Sequence, residues 1–137
     1  SECLVGSEMC IRDSYYTNHP LVPKDKVIAI LNLEQVGVGQ MLGANYHYKY
    51  PELAKLSQKA NAMYVHRRLF TNETHFLTRP RTDGAVFMKA GYPCIDLWAL
   101  GSGYYHHPKD NIRSINPDIL RAATEWLYWT TIFIANK

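Results

Sequence analysis

Two stretches of this chain carry residue types that can do chemistry, and each follows an apolar run. The first ends in Glu34, within Leu31-Asn32-Leu33-Glu34-Gln35-Val36-Gly37. A carboxylate directly after a buried strand must be solvated, paired or metal-bound, because leaving it bare away from water is costly. The second is Tyr104-Tyr105-His106-His107-Pro108-Lys109-Asp110-Asn111. Histidine is the commonest metal ligand and a frequent general base. Adjacent side chains on extended backbone point to opposite sides, so His106 and His107 should not both reach one site. Pro108 restrains His107 to extended geometry and stiffens the loop. Metal ligation or proton transfer is what these residues could do. A solvated glutamate and surface histidines are the ordinary alternative.

The elements that must position them read as follows. Val27–Leu33 is a short continuous apolar run rich in β-branched residues, as expected of a strand buried on both faces beneath helices. Cys94–Leu100 reads as a second such strand. In open α/β sheets, sites collect beyond the carboxyl ends of strands, which is where both candidate stretches fall. Gly37, Gly39 and Gly43 predict a loop after the first strand, and Tyr46, Tyr48 and Tyr50 fit a short strand or an aromatic loop. Pro51 and Glu52 suit a helix start, followed by Leu53, Leu56, Ala60 and Met63 at helical spacing. Residues 64–82 are polar and irregular. Thr82 or Asp83 caps a short helix through Lys89 that Gly91 stops. Asn116, Pro117 and Asp118 open a long amphipathic helix whose buried face holds Ile119, Ala123, Trp126 or Leu127, Thr130 and Ile134. Tyr15–His19 reads as the end of a helix, broken by Pro20 and Pro23. Strand, helix, helix, strand and helix in this order imply α/β layers.

The chain has 137 residues, 47% of them hydrophobic and 20% charged, which is one globular domain's worth. A net charge of +3 is too mild and scattered for nucleic-acid binding. No apolar run approaches the roughly 20 residues of a membrane span. Three cysteines exclude a full internal disulfide framework. Residues 1–14, SECLVGSEMCIRDS, resemble the conceptual translation of a sequencing-library adapter and are expected to be non-native, leaving 15–137 as the domain. Removing Glu2, Glu8, Arg12 and Asp13 leaves 14 basic and 9 acidic residues, or +5. Cys94 is then the one native cysteine, read as a small buried hydrophobe.

Taken together, the blocks resemble the C-terminal half of the M28 family of zinc-dependent aminopeptidases and carboxypeptidases. That family carries an apolar strand ending Asn-Leu-Asp-Met-Ile-Gly, and Asn32-Leu33-Glu34-Gln35-Val36-Gly37 fills it here. Its Ser-Asp-His-x-x-Phe block resembles Thr82-Asp83-Gly84-Ala85-Val86-Phe87, and its Gly-Ile-Pro resembles Gly91-Tyr92-Pro93. Its Tyr-His-Thr-x-x-Asp-Thr loop resembles Tyr105-His106-His107-Pro108-Lys109-Asp110-Asn111, ahead of the last helix.

The resemblance implies a three-layer mixed-sheet α/β fold, present here as its C-terminal part. It implies two zinc ions sharing a water that attacks a peptide bond, and a secreted or periplasmic setting. By the match, His106 is the C-terminal zinc ligand and Glu34 the carboxylate ligand of the other zinc, one methylene longer than the usual Asp. Tyr105 sits where some members place a tyrosine that hydrogen-bonds the tetrahedral intermediate. Gly84 departs from the family's His, and Asp83 and Asp110 are expected to brace loops by bonding backbone amides. The family's His-x-Asp block, bridging Asp and Glu-Glu pair have no counterpart here. Leu4-Val5-Gly6-Ser7 resembles a stretch that follows the Glu-Glu pair and would not restore it. Each zinc would thus receive one ligand from this chain, where a stable catalytic site normally takes three. The chain alone is therefore expected to bind zinc weakly and not to turn over peptide. Two rivals share the fold: a non-catalytic binding or scaffold domain, which Gly84 and Glu34 favour, and a glutaminyl-cyclase-like acyltransferase. Arg67, Arg68, Arg79 and Arg81 read as a solvated loop or a substrate-carboxylate receptor, and Asn72-Glu73-Thr74 is a glycosylation sequon.

Overall fold

The computed structural model describes residues 8–74, 82–101 and 107–137 of the chain. Its elements are α1 (Glu8–Asn18), β1 (Ile30–Glu34), β2 (Met41–His47), α2 (Pro51–Ala60), β3 (Leu69–Thr74), α3 (Asp83–Lys89), β4 (Cys94–Leu100) and α4 (Pro117–Ala135). The four strands form one mixed sheet in the order β1-β4-β2-β3. β1 runs parallel to β4, β2 antiparallel to β4, and β3 parallel to β2.

Because side chains alternate across a strand, the register sorts them into two faces. On one face Leu31, Leu33, Leu42, Ala44, Ile95, Leu97 and Ala99 pack against Leu53 and Ala60 of α2 and Ile119, Ala123, Trp126 and Ile134 of α4. Trp126 is fully buried there, and its Nε1–H donates to the Ser57 carbonyl at 2.8 Å, so the indole leaves no orphan donor. The other face carries Asn32, Glu34, Gly43, Asn45, Asp96 and Trp98, with Asn32 beside Asp96 and Glu34 beside Trp98. α3 lies against β4 and β1 on this side, and α1 packs on α3. The result is a three-layer α/β architecture.

Local rules explain the helix ends. Asn116 Oδ1 accepts from the Asp118 N–H at 3.1 Å, with Pro117 at the first helical position, so α4 starts where the cap residues require. Thr82 Oγ1 accepts from the Ala85 N–H at 3.1 Å and caps α3. α2 continues into one π turn over Asn61–Val65, closed by His66 at φ 55°. That wider turn rotates Met63 off the buried stripe, and it is 50% exposed rather than packed with Leu53 and Ala60.

Three sequence expectations are corrected. β1 begins later than Val27 and is half-buried throughout, because it has a strand neighbour on one side only among the described residues; β4 is the strand covered on both faces. Gly43 lies inside β2, not in a loop: its missing side chain makes room for the Trp98 indole, which a Cβ would approach to 2.5 Å. Residues 64–82 contain β3, whose polar Thr71-Asn72-Glu73-Thr74 hid a strand that sits at the other end of the strand order. Among the described residues no helix is long and apolar enough to cross a membrane.

Candidate functional site

The candidate site sits at the carboxyl end of β1, on the polar face of the sheet. Glu34 is the last residue of the strand, and Gln35 follows at φ 48°, a left-handed conformation that turns the chain away at once. Asn32 and Glu34 are two residues apart and share a face. Their side chains meet: Asn32 Nδ2 donates to Glu34 Oε1 at 3.0 Å. A second donor, the Asp83 backbone N–H at the start of α3, reaches the same oxygen at 2.9 Å. Oε1 is thus held twice, whereas Oε2 receives no hydrogen bond from the described residues.

Behind this carboxylate lies a second one. Asp96, 2% exposed, accepts from the same Asn32 Nδ2 at 2.6 Å, so one amide nitrogen serves two carboxylates with its two hydrogens. Burial pushes the Asp96 carboxyl above the usual carboxylate range, and the Thr82 and Asn32 side chains partly restrain it. Glu34 is likewise raised, by burial first and then by the Asp96 charge, against the pull of the Asp83 N–H and the Asn32 amide. Gly84 explains how the inner carboxylate fits: a Cβ there would stand 2.8 Å from Asp96 Oδ1 and 2.9 Å from its Cγ. Nothing larger than glycine fits beside it unless Asp96 moves. Trp98 walls the other side, and its buried Nε1–H has no hydrogen-bond partner among the described residues.

A further acid approaches from α1. The Asp13 carboxyl is pushed up to about 6 by burial, by the Asp83 charge and by a hydrogen bond with Asp83, with Arg12 opposing. α1 crosses the expected boundary at Ser14 as one continuous helix. Among the described residues Asp83 meets two partners. Its amide serves Glu34, while its carboxyl faces Asp13.

Of the ligands expected from sequence, Glu34 is placed as described, and Tyr105 and His106 lie outside the described residues, as do Arg79 and Arg81. His107 Nδ1 accepts from the Lys109 N–H at 3.1 Å, and the Asp110 N–H donates to the His107 carbonyl at 2.8 Å, which makes a local turn. Arg67 is paired with Asp118, which Arg121 also binds at 3.1 Å. Cys94 is a free, buried thiol pushed up by burial and by the Asp96 charge, so it is inert packing. Tyr50 OH donates to the Gly91 carbonyl at 3.3 Å, and the buried His47 ring contacts Tyr50 on one side and the exposed Tyr48 on the other. Sequence reasoning passed over Asn32 and Asp96 as participants. The available signal was a lone Asp in the middle of an apolar strand, which must find a buried partner.

The donor chemistry fits a metal in part. Glu34, with one oxygen held and the other open, suits a single oxygen ligand. Among the described residues, no three His, Cys, Asp or Glu side chains are placed to hold a metal ion together.

The family model for peptidase family M28 matches residues 2–130. Among solved structures, the chain is similar to BSAP, a zinc aminopeptidase from Bacillus subtilis, with a TM-score of 0.74 and 18% identity over 89% of this chain and 32% of that one. It is similar to the LapA aminopeptidase of Legionella pneumophila, with a TM-score of 0.71 and 12% identity over 94% and 35% of the two chains. The glutaminyl cyclase of Porphyromonas gingivalis follows at a TM-score of 0.63 and 21% identity, over 90% of this chain and 48% of that one. The chain thus spans about a third of each aminopeptidase and about half of the cyclase. No curated protein sequence matches it.

Proposed function

This chain belongs to peptidase family M28, and from that premise we propose that it is the C-terminal portion of a zinc-dependent exopeptidase that hydrolyses terminal peptide bonds by a metal-activated water. The observation that carries the reading is Glu34 itself, at the strand end where the family places a carboxylate ligand. Its Oε1 is fixed by Asn32 and the Asp83 amide, and its Oε2 is open among the described residues. In this reading Glu34 and His106 each hold one of two zinc ions, and Tyr105 donates a hydrogen bond to the developing oxyanion. Zinc supplies a lowered water pKa and a polarised carbonyl. The chain's own residues orient the ligand: Asn32 and Asp83 set the carboxylate's rotation, and Gln35 turns the backbone clear of it. A peptide is the substrate, and the setting is secreted or periplasmic.

Two ligands shared between two ions fall short of the three a catalytic zinc needs. The 137-residue chain alone therefore binds zinc weakly and is inactive. Titration with zinc, together with an aminopeptidase assay, tests this; stoichiometric tight binding or turnover by the chain alone would overturn it. A second reading, a glutaminyl-cyclase-like acyltransferase with one zinc, draws on the likeness to the Porphyromonas gingivalis cyclase. Assaying the parent protein for N-terminal glutamine cyclisation against peptide hydrolysis separates the two. A parent protein lacking both activities would favour a binding or scaffold domain instead.

A further inference from the structure

The methylene that Glu34 adds to the usual Asp lengthens the candidate ligand, and a longer side chain has more rotamers to lose before it can bind a metal. The structure contains a device that restrains it. Parallel pairing of β1 with β4 sets Asn32 directly beside Asp96 on the polar face. Asn32 Nδ2 stands 2.6 Å from Asp96 Oδ1 and 3.0 Å from Glu34 Oε1. With one hydrogen committed to the buried carboxylate, the amide plane is fixed, and the other hydrogen can point only along the strand to Glu34. The glycine at position 84 is part of the same device. A Cβ there would stand 2.8 Å from Asp96 Oδ1 and 3.2 Å from Asn32 Cβ, so the position that departs from the family's His is the one that admits the inner acid.

We propose that Asp96, admitted by Gly84, is a positioning residue that acts through Asn32 to hold the Glu34 carboxylate in its ligating orientation. The orientation claim stands on this chain's geometry; its consequence for zinc rests on the function proposed above. Buried partners that orient a ligand are commonly worth at least tenfold in metal affinity.

The test uses the full chain and reads the Asn32 side-chain amide and Glu34 carboxyl resonances by NMR, alongside zinc affinity by titration. Asp96→Ala should shift both sets of resonances and weaken zinc binding by roughly tenfold. Asp96→Asn, which keeps an acceptor oxygen, should restore most of the native shifts and affinity, a rescue that loss of packing alone would not give. Should Asp96→Ala prove unfolded, Asn32→Leu gives the same readout at Glu34. Unmoved Glu34 resonances in the folded Asp96 and Asn32 variants would overturn the proposal. Glu34→Gln separates the two ideas: if it leaves zinc affinity unchanged while the Asp96 variants still move Glu34, the positioning stands and the ligand role fails. If it abolishes binding while the Asp96 variants move neither the Glu34 resonances nor the affinity, the ligand role stands and the positioning fails.

Discussion

Replacing Gly43 by alanine should damage the protein only while Trp98 is present. A Cβ at Gly43 would lie 2.5 Å from Cε2, 2.6 Å from Cζ2 and 2.8 Å from Cδ2 of Trp98. Comfortable carbon contacts start near 3.5 Å, so the indole must retreat by about 1 Å. The ring is rigid and its Nε1 edge is buried, so the displacement falls on β2, β4 and α3. Overpacking of this kind costs about 1–3 kcal/mol. Alanine in a strand interior recovers roughly 0.5–1 kcal/mol of backbone entropy relative to glycine. The net expectation is a loss of about 1–2 kcal/mol in urea unfolding followed by circular dichroism. In a Trp98→Ala background the obstacle is gone, and Gly43→Ala should then be neutral or stabilising by up to about 1 kcal/mol. The sign reversal is the diagnostic. If the two substitutions add to within about 0.5 kcal/mol, Gly43 is not there for Trp98.

Other outcomes follow from the same geometry. Trp126→Phe should cost about 1–3 kcal/mol in urea unfolding, chiefly by removing buried volume, since the Ser57 carbonyl keeps its hydrogen bond from the Asn61 N–H when the indole donor is lost. Asn116→Ala should cost about 1–2 kcal/mol by loss of the cap, and it also releases the Gly39 carbonyl, to which Asn116 Nδ2 donates at 3.0 Å. Asp13 titrates higher in the fold than its ordinary 3.8, so its neutral form is the favoured one. Its contribution to α1 packing is complete below 3.8 and fades as pH rises through about 6. Amide protection factors in α1, taken relative to the intrinsic exchange rate at each pH, should accordingly fall between pH 4 and 7 in the native protein, and Asp13→Asn should flatten that fall.

Much of the framework could be read from residues before any coordinates. Asn116-Pro117-Asp118 specified the start of α4, Thr82 the start of α3, and the run Cys94–Leu100 the central strand, because capping and continuous apolar burial are local signals. β3 and the strand character of Gly43 were illegible for the opposite reason. One depends on pairing with β2 and the other on an indole more than fifty positions away, and neither leaves a trace in its own neighbourhood. The site divided in the same way. Glu34 stood out as a carboxylate at a strand end. The amide that holds it and the acid behind that amide became visible only when the parallel register laid Asn32 against Asp96. Gly84, read from sequence as a defect in a motif, is a fitted vacancy for that acid.

The strict alternation along β4 has an evolutionary corollary. Ile95, Leu97 and Ala99 answer to the oily layer, where any side chain of similar bulk serves. Asp96 and Trp98 answer to neighbours that accept a single shape. Drift and constraint should therefore interleave codon by codon, so that a saturation library over 95–99 would return a comb: exchanges among apolar side chains of similar bulk at odd numbers, and almost none at the even ones between them.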